Sequence, residues 1–94
     1  MTILWMPKAR THLIAIRSYI ASDNPQAADR MAIRIRAAIA FLAEHPHIGR
    51  VGQWAGTREL VISGTPYIAP YRVNGQVIEI LAIFHGRQDW TAAR

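Results

Sequence analysis

Between Arg58 and His85 the chain places three apolar runs in succession, separated only by turn residues, and such short connections force neighbouring strands to pair antiparallel. Arg58–Ile62 reads as the second strand, Tyr67–Val73 as the third and Gln76–His85 as the fourth. Ser63-Gly64-Thr65-Pro66 is a turn by composition. Asn74-Gly75 is the strongest hairpin signal in the chain and predicts a two-residue type I′ turn. Pro70 falls inside the third strand, where it lacks a ladder donor and implies a bulge or an unpaired position. The fourth strand is apolar enough on both faces to be central.

The first half supplies what covers this sheet. Thr2–Met6 is a short apolar run, read as a strand with both faces covered, and Pro7 suits the first turn of a following helix. Ala9, Leu13, Ile16 and Ile20 then recur at helical spacing, with His12 on the exposed face and an end near Ala21–Asp23. Asp23-Asn24-Pro25 joins a side-chain cap to a proline at the first helical position. One long helix follows over Gln26–Glu44, with Ala28, Met31, Ile35, Ile39 and Leu42 as its buried stripe. Ile33, Ala37 and Phe41 form a second apolar patch that suits either a partner or the first helix. The order β-α-α-β-β-β defines an α+β domain over residues 1–94, a helical hairpin laid on a small antiparallel sheet.

The net charge is +5, and ten of the eleven basic residues are arginine. Arginine presents a planar fork that grips carboxylate or phosphate bidentately, so an acidic partner or a phosphate backbone is implied; a GC-rich genome gives the same bias. With no cysteine there is no thiolate chemistry and no disulfide, and no run approaches the ~18 apolar residues of a membrane span. A cytoplasmic protein is expected. His45 and His47 form a His-x-His with no carboxylate or cysteine beside it, a poor metal site, and nothing in the chain calls for a cofactor.

The helix Trp5…Ala9…Leu13…Ile16…Tyr19-Ile20, then Asn24-Pro25…Ala27-Ala28, Leu42…His45-Pro46…Gly49-Arg50 and Gly56-Thr57-Arg58-Glu59-Leu60 follow one another along the chain. Tyr67-Ile68…Tyr71-Arg72-Val73 and Ile80-Leu81…Phe84-His85-Gly86-Arg87-Gln88-Asp89-Trp90 complete the series. In this order and spacing they resemble the RelE/ParE superfamily of toxins from bacterial type II toxin–antitoxin systems, closer to the ParE side. The resemblance implies a cognate antitoxin, ParD-like or similar, whose acidic C-terminal segment wraps the toxin in a hetero-oligomer. It also implies one of two targets: DNA gyrase for ParE-like members, or mRNA in the ribosomal A site for RelE-like ribonucleases. An inactive toxin-fold partner in an autoregulatory complex is the third reading.

Metal-independent RNA cleavage needs a base, an acid and positive charge around the phosphate. The nuclease candidates are Arg58, Arg72, His85 and Arg87, with the three arginines at one sheet edge and His85 titrating near neutrality. The lysines of RelE-like enzymes are absent, no tyrosine follows the fourth strand, and Trp90 cannot exchange a proton. Three of the four have a structural role open to them: an Arg58–Glu59 ion pair, a diagonal Arg72–Glu79 contact across the hairpin, and His85 as a capped strand end. For partner contacts the expected set is Arg50, Trp54, Arg58, Arg72, Arg87 and Trp90. Of these, Trp54 and Trp90 are large aromatics in segments that bury them poorly. Trp5 lies in an apolar run and Tyr67 and Tyr71 share one strand face, so core burial or antitoxin contact is expected for all three.

Overall fold

The structure, a computed structural model, describes residues 1–87. Strand β1 (Thr2–Trp5) leads into helix α1 (Pro7–Ala21) and helix α2 (Pro25–Ala40), which ends in a single 3₁₀ turn at Phe41–Ala43. Strands β2 (Arg50–Val51), β3 (Arg58–Val61), β4 (Tyr67–Asn74), β5 (Val77–Ile80) and β6 (Phe84–His85) follow. The sheet order is β1-β5-β4-β3-β2, with β6 also paired to β4. β1 lies parallel to β5 and every other pairing is antiparallel.

The helical hairpin forms where the capping residues predict it. Pro7 and Pro25 stand in the first turns of their helices, and the Asn24 side chain accepts the Ala27 N–H at 3.1 Å. The α-helical part of α2 stops at Ala40, earlier than the Glu44 expected, but the chain stays in helical backbone through Glu44 as the tighter 3₁₀ turn, a common way for a helix to end. Its buried positions are Ala28, Ala32, Ile35 and Ile39, continued by Leu42, while Met31 is half-buried. They meet Tyr71, Ala69, Ile78 and Ile80 from the sheet, each fully buried, and each large side chain here contributes about 1.5–3 kcal/mol.

At β1 only one face of the sheet is covered, so the strand alternates: Ile3 and Trp5 pack on the core while Thr2 and Leu4 are exposed. The expectation that both its faces are covered is therefore corrected. The final hairpin also differs by one residue from the sequence reading. Asn74 pairs with Val77, leaving Gly75-Gln76 as the turn; Gly75 has φ +61° and no described non-glycine residue has positive φ. That fits a turn with glycine first, as in type II′, and not type I′, which needs both central residues at positive φ. The shift sets Arg72 directly opposite Glu79, where a diagonal pair was expected.

The long fourth strand is interrupted. Leu81 donates its N–H to the Pro70 carbonyl at 2.9 Å, but Pro70 has no N–H to return. From Tyr71 to Ile68 on β4, two residues intervene; from Ile80 to Phe84 on the opposite chain, three do. The extra residue lies opposite the proline, and pairing resumes as β6.

Candidate functional site

The loop after α2 is fixed to the sheet by Tyr71 and Arg58. The buried Tyr71 hydroxyl accepts the Gly49 N–H at 2.9 Å and donates to the Pro46 carbonyl at 2.8 Å. Burial raises its pKa, against the opposing influence of the Gly49 bond and the Arg58 guanidinium. Arg58 Nη1 donates to the Gly49 carbonyl at 2.8 Å and to that of His47 at 3.3 Å. Gly49 itself has no room for a side chain, since an added Cβ would lie 2.6 Å from Tyr71 Cε1.

This clasp places Arg50 beside Glu59. Arg50 Nε donates to Glu59 Oε1 at 2.9 Å, and the Gln53 N–H donates to Oε2 at 3.0 Å. Glu59 is buried, whereas the Arg50 side chain is more than half exposed. The Arg58–Glu59 pair expected from sequence does not form, because adjacent strand residues point to opposite faces. Arg72 instead pairs with Glu79 across the hairpin.

Arg58 and Arg72 therefore do come together. With His47, Thr57 and Val73 they line a concavity of about 340 Å³ at one end of the sheet. His85 and Arg87 do not join them. His85 pairs with Tyr67, four residues along β4 from the Arg58 partner Tyr71, a separation of about 13 Å. His85 Nδ1 accepts the Arg87 N–H at 3.1 Å, closing the strand end, and its ring meets Tyr67 edge-on at 5.9 Å. Arg87 is exposed beside it. The four nuclease candidates stand as two separate pairs, and the histidine beside the arginine basin is His47, which the sequence reading weighed only as a metal ligand.

Trp54 is not the exposed anchor it was expected to be. It is half-buried in a small second cluster with Ala82 and Phe84, edge-on to the Phe84 ring at 6.2 Å. The other side of Phe84 meets His12, 5.2 Å between ring centres. His12 was expected on an exposed face; its Nδ1 accepts the Ile83 N–H at 3.1 Å, tying α1 to the interruption in the sheet. Burial, and then the charge of Lys8, lower its pKa. Trp90 lies outside the described residues. Among the described residues no group of histidines and carboxylates is arranged to hold a metal ion, and no helix is long and apolar enough to cross a membrane.

A helical hairpin packed on a mostly antiparallel sheet is the architecture of a solved type II toxin. The chain matches the toxin of the chromosomal ParDE toxin–antitoxin system of P. aeruginosa with a TM-score of 0.82 at 31% identity, covering 90% of this chain and 95% of that one. Residues 3–90 match the family model described as the ParE toxin of the type II toxin–antitoxin system, parDE. The chain belongs to the ParE toxin family of type II toxin–antitoxin systems, and that membership implies a cognate ParD antitoxin. Among its relatives, Y4kP of Sinorhizobium fredii is 46% identical over 88 residues, covering 94% of this chain and 91% of Y4kP. Toxin RelE2 of Caulobacter vibrioides is 41% identical over 83 residues, covering 88% of this chain and 92% of RelE2.

Proposed function

We propose that this chain is a cytoplasmic toxin that arrests growth by binding DNA gyrase directly, without cofactor or metal, and that its antitoxin silences it in a hetero-oligomer. The observation that carries this reading is the separation of the nuclease candidates. Arg58 holds two loop carbonyls, Arg72 holds Glu79, and His85 closes a strand end about 13 Å along β4. RNA cleavage needs acid, base and phosphate-binding charge within reach of one phosphodiester. Gyrase is the target that the resemblance attaches to ParE-like toxins, so membership of the ParE family favours it over the ribosome, and Arg50, Arg58, Arg72, Arg87 and Trp90 remain proposed as contacts to partner or target.

The test is a supercoiling assay with purified toxin and gyrase, read for both inhibition and accumulated cleaved DNA. Both are expected. If a large excess of toxin leaves supercoiling untouched while mRNA is cut on the ribosome, the gyrase reading is lost. The basin of Arg58, Arg72 and His47 would then be the site to mutate.

A further inference from the structure

Arg58 and Arg72 reach one concavity from opposite faces of the sheet. Arg58 is paired with Tyr71 and so lies on the core side, while Arg72, the next residue along β4, projects to the other side. They meet at the end of the sheet, where His47, Thr57, Val51 and Val73 complete a space of about 340 Å³. Each guanidinium is held by only part of its donor set. Arg58 gives Nη1 to the Gly49 and His47 carbonyls, and Arg72 gives Nε to Glu79. Nε and Nη2 of Arg58 and both Nη groups of Arg72 make no hydrogen bond among the described residues. Among the described residues no carboxylate lines the concavity, and the carbonyls that hold Arg58 carry no charge to neutralise it.

We propose that this concavity binds the terminal phosphate of a free nucleotide, with the sugar and base lying over Val51 and Val73. A guanidinium that is already pinned loses less freedom when an anion arrives, and the Tyr71 clasp on Gly49 fixes the loop that pins Arg58. Donors arriving from two faces of a sheet surround an anion. That arrangement suits the oxygens of a tetrahedral phosphate better than the two coplanar oxygens of a carboxylate. The space is at the small end of the range for small-molecule sites, about 300–1,000 Å³, which is room for one nucleotide. Val51 is 81% exposed, with Val73 and His47 beside it, and a sugar or base covers that wall. A nucleic-acid strand takes a charged track with stacking aromatics, and this lining has neither a third arginine nor an aromatic ring other than His47. His47 is also the one imidazole or carboxyl group among the described residues that line it, so the acid and base that cleavage needs are not both present. The phosphate is held and not cut. The inference is independent of gyrase as the target.

The experiment is an NMR titration of the full chain with adenosine monophosphate, following the side-chain Nε–H signals of Arg58 and Arg72 and the ring of His47. All three are expected to move together, and adenosine, which lacks the phosphate, is expected to move none of them. R72Q, at a half-exposed side chain, should weaken the nucleotide on the order of 10-fold with the unfolding midpoint held. R58Q should weaken it on the order of 100-fold; if that variant unfolds because its loop is released, R72Q alone decides. No movement at about 10 mM nucleotide overturns the proposal, as does unchanged affinity in folded R72Q. Tighter binding of a single strand of about 12 nucleotides would make this a nucleic-acid surface and also overturns it. Glutarate binding as well as the nucleotide would make it a carboxylate site, with the same result. A toxin that fails to inhibit gyrase leaves these affinities as they are, so the two readings fail separately.

Discussion

On the sheet, Arg50 and Arg72 each meet a carboxylate and Arg58 spans two loop carbonyls; on the hairpin, Arg10, Arg30 and Arg36 meet no partner among the described residues. The two sets are chemically identical, and the difference lies in what surrounds them. β3 and β5 each place one glutamate on the sheet face that bears Arg50 and Arg72, and the post-α2 loop turns its carbonyls toward Arg58. α1 and α2 offer one carboxylate, Asp29, already bound to Arg17. The sheet arginines are thus tied into the fold, whereas Arg10, Arg30 and Arg36 on the hairpin make no such contact among the described residues.

The strongest challenge to this contrast is Gly49→Ala. The added carbon would meet the Tyr71 ring at 2.6 Å and the Glu59 carbonyl at 2.9 Å, and the second of these is backbone that cannot step aside. A loss on the order of 3 kcal/mol is expected in urea unfolding, because the clasp holding Arg58 and Arg50 must open. A loss below about 0.5 kcal/mol would mean that the loop is not rigidly fixed and that the sheet arginines are free after all.

Arg50→Ala comes next. It leaves the Glu59 carboxylate buried with the Gln53 N–H as its remaining hydrogen-bond donor. A fully buried pair broken this way loses about 3–5 kcal/mol. Since the Arg50 side chain is 57% exposed, water screens it and about 2 kcal/mol is the better expectation. Glu59→Gln in the same background should recover part of the loss by removing the stranded charge. If it recovers nothing, Arg50 acts through packing and not through its charge.

Much of this architecture was legible in the sequence. Asn24-Pro25 located the helix start because cap and proline act within one turn, and the apolar stripe of α2 followed from its period. What sequence could not reach depends on contacts distant along the chain. Trp54 looked exposed because its cover, Phe84, lies thirty residues on. Tyr71 gave no sign that its hydroxyl would organise a loop twenty-two residues earlier. The Arg72–Glu79 register slipped because the hairpin signal Asn74-Gly75 marks the turn to within one residue, and one residue changes every partner. Glu59 pairs with Arg50 and not Arg58 for a reason that strand alternation alone supplies.

His12 is the group on the hairpin that reaches the interruption between β5 and β6, and it predicts a pH dependence. Its Nδ1 must be unprotonated to accept the Ile83 N–H. The folded-state pKa lies below the ordinary value of 6.5, so between those two values the unfolded chain binds more protons. The stability contributed by this contact is therefore complete above pH 6.5 and is lost as the pH falls through the folded-state pKa. Denaturant midpoints measured from pH 7.5 down to pH 5 should decline for the wild type. His12→Gln, whose amide oxygen accepts without titrating, should flatten that part of the curve. Identical pH profiles would show that the bond to Ile83 is not what ties α1 to the interrupted strand.

The smallest expected effect sharpens the contrast most. Arg36→Ala and Arg10→Ala, singly or together, remove side chains that hold no carboxylate or carbonyl among the described residues, so each should leave the unfolding free energy within about 0.5 kcal/mol. Removing two like charges from a hairpin with a surplus of arginine even relieves repulsion, so a slight gain in stability at low salt is the expected sign. A loss comparable to that of Arg50→Ala would place the hairpin arginines in the same structural role as those of the sheet. A flat result separates the arginines that are tied into this fold from those its stability does not need.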